Sequence, residues 1–397
     1  MKKNLHYYVA AWALVLAMFA SCSKEETNQP IDVNQVDISE AGQNPDDLLL
    51  SNQNDRIALS GYLYTQTNAT GNNQIMIYRH NWAGALTYVG AVSTGGSGNG
   101  KSLSSQGALA IDRQQNRLFA VNAGSNSLSM FSIDPANGNL TLLDNEPLQS
   151  VTPVSVTVKG SFVYVVNDGS NNIRGLQVIG GNSMVLLSNS SKVLSSSGAG
   201  PAQISFSPNG NWLHVTERNK NFIRTFQVNA GGYAQPGTNT AAIGKTPVGF
   251  CYGRSNTLVV THAESNAVGQ SVGASYSGNN SNILATVNGS ISTAQSGSGC
   301  AAGTIFGRYA FVTNNISNNI SSYYIASSGN LVLVNGSAAA TGNAPTDICL
   351  SNSNLFVYAI NSGDGTISAY LRGVLGTLIP IGTTSGVTTF GAGLVSY

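Results

Sequence analysis

Short apolar runs recur along this chain, and each run ends in a polar residue followed by a turn and a second apolar run. Residues 162–167, for example, are followed by a turn rich in Gly, Ser and Asn and then by Ile173. Strand-length runs bounded by such turns predict β-hairpins, and seven copies of one pattern predict a repeat architecture. The polar residues that end the seven runs are Asn68, Asn122, Asn167, Glu217, His262, Asn314 and Asn361.

A second pattern precedes the hairpins, in which a turn residue is followed by a short alternating run. Pro153, Pro201 and Pro247 begin three of these runs, at spacings of 48 and 46 residues. A fourth apolar run, such as residues 140–143 or 184–187, follows the hairpin. Four strands per unit at this period predict the blades of a β-propeller rather than a helical solenoid.

The two ends of the repeat region are complementary. The N-terminal unit shows only three strands, near Tyr62, Gln74 and Leu86, whereas residues 390–395 form a spare first strand at the C-terminus. Pairing them would close the ring and leave no exposed strand edge. We therefore predict an all-β fold, a seven-bladed β-propeller of four-stranded blades spanning residues 56–397. The alternative is that residues 56–59 supply the missing strand and the tail stays unpaired.

The first 55 residues have the features of a targeting signal followed by a flexible tether. Lys2 and Lys3 precede an apolar run over residues 7–19 that is too short for a comfortable membrane span. Residues 19–22 resemble a bacterial lipobox, which implies a signal peptide over residues 1–21 and a lipid on Cys22. The alternative is an ordinary secretory signal that contains a cysteine. Residues 22–55 are acidic and lack aromatic residues, so we expect a flexible tether.

The residues after Cys22 also resemble a signal that determines where a lipoprotein is placed in the cell envelope. Residues 23–26 resemble the acidic patch that directs Bacteroidetes lipoproteins to the outer face of the outer membrane. We therefore expect an outer-membrane lipoprotein of the cell envelope, exposed at the cell surface and held to the membrane through Cys22. The simpler alternative is that these residues are only a solvated tether.

Charge and cysteine content argue against some functions of this chain. From residue 56 onward, fifteen Lys and Arg face nine Asp and Glu, and the basic residues are scattered. This distribution argues against nucleic-acid binding and mildly favours anionic partners. Cys251, Cys300 and Cys349 have no Cys-x-x-Cys spacing, so we expect small buried side chains rather than a metal site. We predict no metal, no cofactor and a monomer.

The seven strand-ending residues are the candidate site. In a propeller these positions lie near one rim of the central channel, where Gln203 would join them. Glu217 and His262 would be neighbours there, able to act as acid and base or to form an ion pair without chemistry. Arg218 could hold an anion at the same mouth. Asparagine before a tight turn also commonly bonds the backbone of its own turn.

Residues 200–217 and 311–314 resemble the seven-bladed lactonase family, which includes propeller-type 6-phosphogluconolactonases and 3-carboxymuconate lactonising enzymes, and the related Tyr-Val-Thr-Asn repeat proteins. Active members carry Arg and His where this chain has Ala202 and Gln203, and a His where it has Val154. An ungapped match places Arg218 at the family's Glu position. The resemblance therefore implies the family fold without the family's own catalytic residues.

Two functions are compatible with these observations. The first, which the missing motif residues favour, is a lipid-anchored module that binds a surface protein, a glycan or a small anionic ligand. The alternative is a lactone hydrolase or muconate cyclase-like enzyme that uses a relocated set formed by Glu217, Arg218 and His262. A fold alone does not confer activity, so the side chains at the channel mouth decide between them.

Overall fold

Antiparallel sheets account for most of this computed structural model, which describes residues 60–277 and 283–397. There are seven sheets, and we number them as blades 1 to 7 from the N-terminus. The signal peptide, the lipidated Cys22, the tether and the alternative strand at 56–59 lie outside the described residues and stay predictions.

From the channel outward, the blades contain the following strands. Blade 1 has β29 (Ala392–Ser396), β1 (Gly61–Gln66), β2 (Gln74–His80) and β3 (Leu86–Ser93). Blade 2 has β4 (Leu109–Asp112), β5 (Arg117–Asn122), β6 (Ser127–Ile133) and β7 (Leu140–Pro147). Blade 3 has β8 (Pro153–Lys159), β9 (Phe162–Asn167) and β10 (Asn172–Ile179), with an outer edge split into β11 (Ser183–Leu186) and β12 (Lys192–Val193).

The other four blades repeat the same order. Blade 4 has β13 (Pro201–Phe206), β14 (Trp212–Glu217), β15 (Phe222–Gln227) and β16 (Thr238–Ala241). Blade 5 has β17 (Pro247–Tyr252), β18 (Thr257–His262), β19 (Val272–Ser277) and β20 (Ala285–Ser292). Blade 6 has β21 (Ser298–Gly303), β22 (Tyr309–Asn314), β23 (Asn319–Ile325) and β24 (Leu331–Ala340). Blade 7 has β25 (Pro345–Leu350), β26 (Phe356–Asn361), β27 (Thr366–Arg372) and β28 (Leu378–Ser385).

The C-terminal strand closes the ring. β29 pairs with β1 in antiparallel register, with Leu63 opposite Ser396 and Thr65 opposite Leu394. On its other sides β29 packs against the innermost strands of blades 2 and 7. This pairing confirms the predicted seven-bladed propeller, because it completes blade 1 and covers the edge of β1 that would otherwise stay unpaired.

Tyrosines on the second strands tie neighbouring blades together. Tyr64, Tyr164 and Tyr358 are fully buried, and each donates its hydroxyl to a glycine carbonyl in the outer turn of the following blade. Burial raises the pKa of Tyr164 to about 12, so the hydroxyl remains a donor across the physiological range. A buried ring with a satisfied hydroxyl supplies both apolar area and a fixed register between blades.

Within residues 60–277 and 283–397, helical structure is limited to three short 3-10 turns, Arg254–Asn256, Glu264–Asn266 and Val374–Gly376. Each is three residues long. Nothing helical in the described part of the chain is therefore long and apolar enough to cross a membrane.

Candidate functional site

The seven strand-ending residues lie inside the blades and not on the channel surface. All seven are fully buried, at 0% exposure. In three blades the asparagine donates its Nδ2 to side chains five and seven residues later on the next strand, at distances of 2.6–3.1 Å. The side chain therefore fastens the end of the hairpin formed by the second and third strands. Asn167 also bonds five residues ahead, through the Asn172 side chain.

Asn68 has a different role in blade 1. Its Nδ2 donates to Asn99 Oδ1 at 2.9 Å and to the carbonyl of Lys101 at 2.7 Å. Its own Oδ1 accepts the backbone N–H of Asn99 at 3.1 Å. Asn68 thus anchors the connection between blades 1 and 2, which enters the channel as described below.

Glu217 and His262 also lie in separate blade interiors. The Glu217 carboxylate accepts the backbone N–H of Ser195 at 3.0 Å and the Ser195 hydroxyl. Burial raises the pKa of Glu217, whereas those hydrogen bonds and the charges of Arg224 and Lys220 oppose the shift. Burial lowers the pKa of His262 to about 4, against an opposing contact with the Val272 backbone. No hydrogen bond joins the two described side chains, so the geometry does not assemble them as an acid–base pair.

A segment of the first inter-blade connection fills the middle of the channel. We call residues 102–107 the channel plug. The backbone N–H of Gln106 donates to the Ala202 carbonyl of blade 4 at 2.9 Å. The Gln106 side chain pairs with Ala301 of blade 6, donating from Nε2 at 2.7 Å and accepting at Oε1 at 2.9 Å. The plug therefore spans the channel between blades that are not neighbours.

Two further blades hold the plug from the sides. Ser105 donates its hydroxyl to the Val154 carbonyl of blade 3 at 2.8 Å, and the Gly107 N–H reaches the Asp347 carboxylate of blade 7 at 3.4 Å. Blade 5 contributes space, because a Cβ on Gly249 would lie 2.2 Å from Gln106 Oε1. Small residues on the innermost strands thus make room for the plug.

Sequence reasoning missed the plug. The connection between β3 and β4 is fifteen residues long and consists mainly of Gly and Ser, a composition typical of an exposed linker. Two signals could have revealed it. Such long connections are uncommon inside compact domains unless they are functional or disordered, and Leu103 and Gln106 are its bulky side chains that become buried.

The plug divides the channel into two cavities. We call the first the upper cavity; it has a volume of about 230 Å³, lies where innermost strands begin, and is lined by plug residues 102–105. The second, the lower cavity, has a volume of about 400 Å³ and is lined by Gln106 and by the ends of the same strands. Gln203, expected at the rim, lines the lower cavity, where its side chain pairs with the Phe250 backbone.

Arg218 is the charged side chain of the upper cavity. The rest of the lining consists of hydroxyls, amides and small apolar groups, including Asn266, Asn315 and Thr346. Arg218 Nε donates to the Gly200 carbonyl at 3.2 Å, and the two terminal nitrogens have no hydrogen bond to any described residue. Partial burial lowers the guanidinium pKa and the charge of Asp168 opposes the shift, so the group stays cationic at neutral pH. The cavity can therefore hold one anionic group.

Asp347 lies on the innermost strand of blade 7, directly after the cavity residue Thr346. It is 2% exposed, and burial raises its pKa to about 7 although backbone N–H groups of Ile348, Gly107 and Leu394 favour the charged form. Among residues 60–277 and 283–397, no three His, Cys, Asp or Glu side chains are grouped to hold a metal ion.

The raised pKa of Asp347 makes stability depend on pH. The folded state binds the Asp347 proton more tightly than the unfolded state does. The stability gained from this tighter binding is fully present below pH 4 and is lost as pH rises to about 7. Asparagine does not titrate, so Asp347→Asn should not lose stability in this way. We therefore expect the Tm of the variant minus that of the native protein to rise by a few degrees between pH 4.5 and pH 8. Thermal melts at both pH values measure it. A constant difference in Tm would contradict the assignment.

Comparisons with known proteins agree on the fold. The sequence profile of the family described as "Lactonase, 7-bladed beta-propeller" matches residues 61–193 and 183–272, more than half of the chain. No curated protein matches significantly. Many solved structures are similar, and three of them, all at low identity, illustrate the shared fold.

The first of these is a "putative 6-phosphogluconolactonase" from Bacteroides uniformis, with 17% identity, a TM-score of 0.67 and coverage of 85% of this chain and 100% of that one. A Lactobacillus plantarum protein shares 16% identity at a TM-score of 0.70, over 85% and 99% of the two chains. The periplasmic gluconolactonase of Pseudomonas aeruginosa shares 16% identity at a TM-score of 0.66, again over 85% and 99%.

Proposed function

The chain belongs to the seven-bladed β-propeller lactonase family, and from this premise we propose that its upper cavity binds a small sugar acid or the corresponding lactone. The observation that carries the proposal is the guanidinium of Arg218, which stands with free terminal nitrogens in a cavity otherwise lined by hydroxyl, amide and small apolar groups. A guanidinium pairs with a carboxylate through two parallel hydrogen bonds.

The lining suits a polyhydroxylated ligand of small size. Hydroxyl and amide side chains such as Ser104, Asn266 and Asn315 both donate and accept, as sugar hydroxyls require. The volume of about 230 Å³ lies below the usual range of ligand pockets, which favours a small molecule over a glycan chain or a protein loop. One cationic group favours a single carboxylate over a phosphate ester that carries two charges.

The plug favours ligand binding, rather than the catalysis usual in the family, as the function of this chain. Ser105 and Gln106 cover the backbone at Val154 and Ala202, the positions where the family resemblance places His and Arg. Long side chains at either position would compete with the plug for the same space. We propose that this chain has exchanged those side chains for the plug and recognises its ligand through Arg218.

A second candidate function is lactone hydrolysis, the activity for which two of the similar solved structures are named, and Asp347 is the candidate base. A carboxyl with a pKa of about 7 suits a general base that activates water, because catalytic pKa values lie near the working pH. It follows Thr346, which lines the upper cavity. Hydrolysis would add water across the ester bond of the lactone, so that the ring oxygen leaves as a hydroxyl and the product is the same sugar acid that the cavity is proposed to bind.

The binding proposal predicts a charge-specific effect at Arg218. Titration calorimetry of the purified protein with D-gluconate and with neutral D-sorbitol is expected to show preference for gluconate. Arg218→Gln should weaken gluconate binding by about ten-fold or more, because a bidentate charged contact is lost. Arg224→Gln is the matched control: it removes an arginine from the same blade that does not line the cavity.

The outcomes separate the two functions. Equal losses in Arg218→Gln and Arg224→Gln, or no binding of gluconate at about 10 mM, would refute the sugar-acid site. Release of acid from glucono-δ-lactone above the uncatalysed rate would establish hydrolysis. Loss of that activity in Asp347→Asn would assign the base to the channel, whereas loss in Glu217→Gln would assign it to the buried carboxylate of blade 4.

A further inference from the structure

The two faces of the propeller differ in charge. Innermost strands begin at the upper cavity and end at the lower one, so the turns between first and second strands and between third and fourth strands lie together on what we call the lower face. Basic side chains that reach solvent lie in or beside these turns in blades 1, 2, 3, 5 and 6; they are Arg79, Arg113, Arg117, Lys159, Arg254 and Arg308. The acidic residues of the same described turns are Asp112 and Asp134, both in blade 2. The lower face is therefore positively charged.

The upper face shows no such separation of charge. It is formed by the turns between second and third strands and by the connections between blades. Acidic and basic side chains occur together there, as in Asp168, Lys220, Lys245, Glu264 and Asp364. The formal net charge of +1 for the whole chain thus conceals an excess of basic residues on one face.

Large apolar side chains also project from the lower face. Ile305 and Phe306 lie on the first turn of blade 6, Val374 and Leu375 on the outer turn of blade 7, and Trp82 on the outer turn of blade 1. Each is between 41% and 70% exposed. Single exposed apolar residues are ordinary, whereas a group of them on consecutive blades indicates an interaction surface.

The group is continuous because each outer turn packs on the neighbouring blade. A Cβ on Gly376 of blade 7 would lie 2.8 Å from the Tyr309 ring of blade 6, and a Cβ on Gly84 of blade 1 would lie 2.5 Å from the Phe356 ring of blade 7. Leu375 has a φ of 56°, in the left-handed region where glycine or asparagine is less strained. An exposed leucine at such a position has no role in the core that would explain it.

The N-terminal part of the chain joins the propeller on the same face. Ser60 and Gly61, at the start of β1, line a cavity of about 310 Å³ together with Arg113 of blade 2 and Asn352 of blade 7. Cys22, the predicted site of a lipid, precedes this point in the sequence. A lipid at that position would tether the propeller from its lower face.

We propose that the lower face binds the surface of an anionic lipid bilayer. Trp82, Phe306 and Leu375 enter the region between headgroups and acyl chains, where aromatic and aliphatic side chains partition favourably. The basic side chains lie at the level of the lipid phosphates, and each strengthens the attraction to an anionic surface. Basic residues spread over most of the blades suit a plane of negative charge better than a single bound anion.

This contact leaves the upper cavity accessible. That cavity opens on the opposite face, so the propeller on the bilayer presents Arg218 to the surrounding solution. The membrane contact and the sugar-acid site are independent of each other, and the contact does not require a lipid at Cys22.

Quenching of Trp82 fluorescence tests the contact at the face itself. In the full chain carrying Trp12→Phe, emission comes from Trp82 and from Trp212, which is 7% exposed. Vesicles of phosphatidylcholine and phosphatidylglycerol with brominated acyl chains should quench Trp82, and vesicles of phosphatidylcholine alone should quench it far less. Raising the salt concentration from about 0.1 M to about 1 M should reduce the quenching, because it screens the charge attraction.

The matched control places a tryptophan on the upper face. Ile316 is 50% exposed on the turn between β22 and β23. Ile316→Trp, in a chain that also carries Trp12→Phe and Trp82→Phe, should escape quenching by the same vesicles. Phenylalanine keeps an apolar ring at position 82, so the vesicles still bind.

A pair of apolar substitutions measures the contribution of the exposed side chains. Ile305→Ser with Phe306→Ser should raise the lipid concentration needed for half-maximal quenching of Trp82 by about ten-fold or more, because two apolar side chains no longer leave water. Val268→Ser with Ile316→Ser makes the same change at exposed positions of the upper face and should have no effect. Since all four positions are exposed, the Tm should stay unchanged in both pairs.

A pair of charge substitutions measures the contribution of the basic residues. Arg79→Gln with Lys159→Gln should weaken vesicle binding by about ten-fold, since each removes one cation near the lipid phosphates. Lys101→Gln with Lys245→Gln removes two exposed cations from the upper face and is the matched control. It should leave the quenching curve as it is.

Several results would overturn the membrane contact. These are absence of Trp82 quenching by the anionic vesicles, equal quenching of the tryptophan at position 316, and equal effects of the lower-face and upper-face pairs. A dimer that forms without vesicles and is lost in Ile305→Ser with Phe306→Ser would instead assign the lower face to a second copy of this chain.

Discussion

A chain that ends at Phe390 is expected to lose cooperative folding, because it lacks the strand that closes the propeller. β29 pairs with β1, packs against β25 and β4, and carries Leu394, which is 4% exposed. Its removal leaves the edge of β1 unpaired and uncovers the surfaces of β25 and β4 that pack on it. We expect a loss of more than about 5 kcal/mol in the free energy of unfolding, which is comparable with the whole stability of an ordinary domain.

The measurement is a thermal or urea unfolding curve together with size-exclusion chromatography, since open strand edges favour association. A circular permutant supplies the control. Tyr397 and Tyr62 exchange backbone hydrogen bonds at 2.8 Å, so residues 390–397 can precede Gly61 through a short turn in a chain that ends at residue 389. That permutant should recover a native-like transition. If the truncated chain already unfolds like the native protein, the closing strand contributes far less than its contacts indicate.

The second large effect is expected from Asn122→Ala. Asn122 Oδ1 accepts from Asn73 Nδ2 at 3.0 Å and from the Thr94 hydroxyl at 2.7 Å, while its Nδ2 donates to Ser127 and Ser129. All four contacts are buried, and two of them reach the preceding blade. Because a lost partner leaves buried polar groups unsatisfied, we expect a destabilisation of about 3–4 kcal/mol, measured by urea unfolding.

Asn361→Ala is the matched comparison at the same repeat position. Asn361 Nδ2 donates to Thr366 and Ser368 at 2.9 Å, but its Oδ1 has no partner in the described part of the chain. Its replacement should therefore cost about 1–2 kcal/mol. Equal costs at the two positions would mean that the contacts of Asn122 to the preceding blade contribute nothing, and that only the hairpin bonds matter.

The repeat pattern predicted most of the fold because strand periodicity is local. Runs such as residues 162–167 alternate between two buried faces, and the turn after each run restricts the hairpin register to a few choices. The same logic identified residues 390–395 as a first strand, and the structure shows β29 at Ala392–Ser396. Blade count and ring closure follow from pattern alone.

The site was harder to predict, since it depends on which way a side chain points at the end of a strand. The pattern singled out Glu217 and His262 as departures from asparagine, but both lie in blade interiors. The neighbouring residue Arg218 lines the upper cavity. One step along a strand end turns a side chain from the blade interior to the channel, and repeat spacing cannot resolve that step.

The sequence by itself determined the all-β class, the seven blades, the closing strand and Arg218 as a candidate for holding an anion. Tertiary structure alone decided that a Gly- and Ser-rich connection enters the channel, that Gln106 bonds to blades 4 and 6, and that two cavities result. The physical reason is that strand periodicity is a pattern of residues close together in the sequence, whereas the plug is held by backbone groups of distant blades. Backbone N–H and C=O groups are the same in every residue, so they leave no mark in the amino-acid sequence.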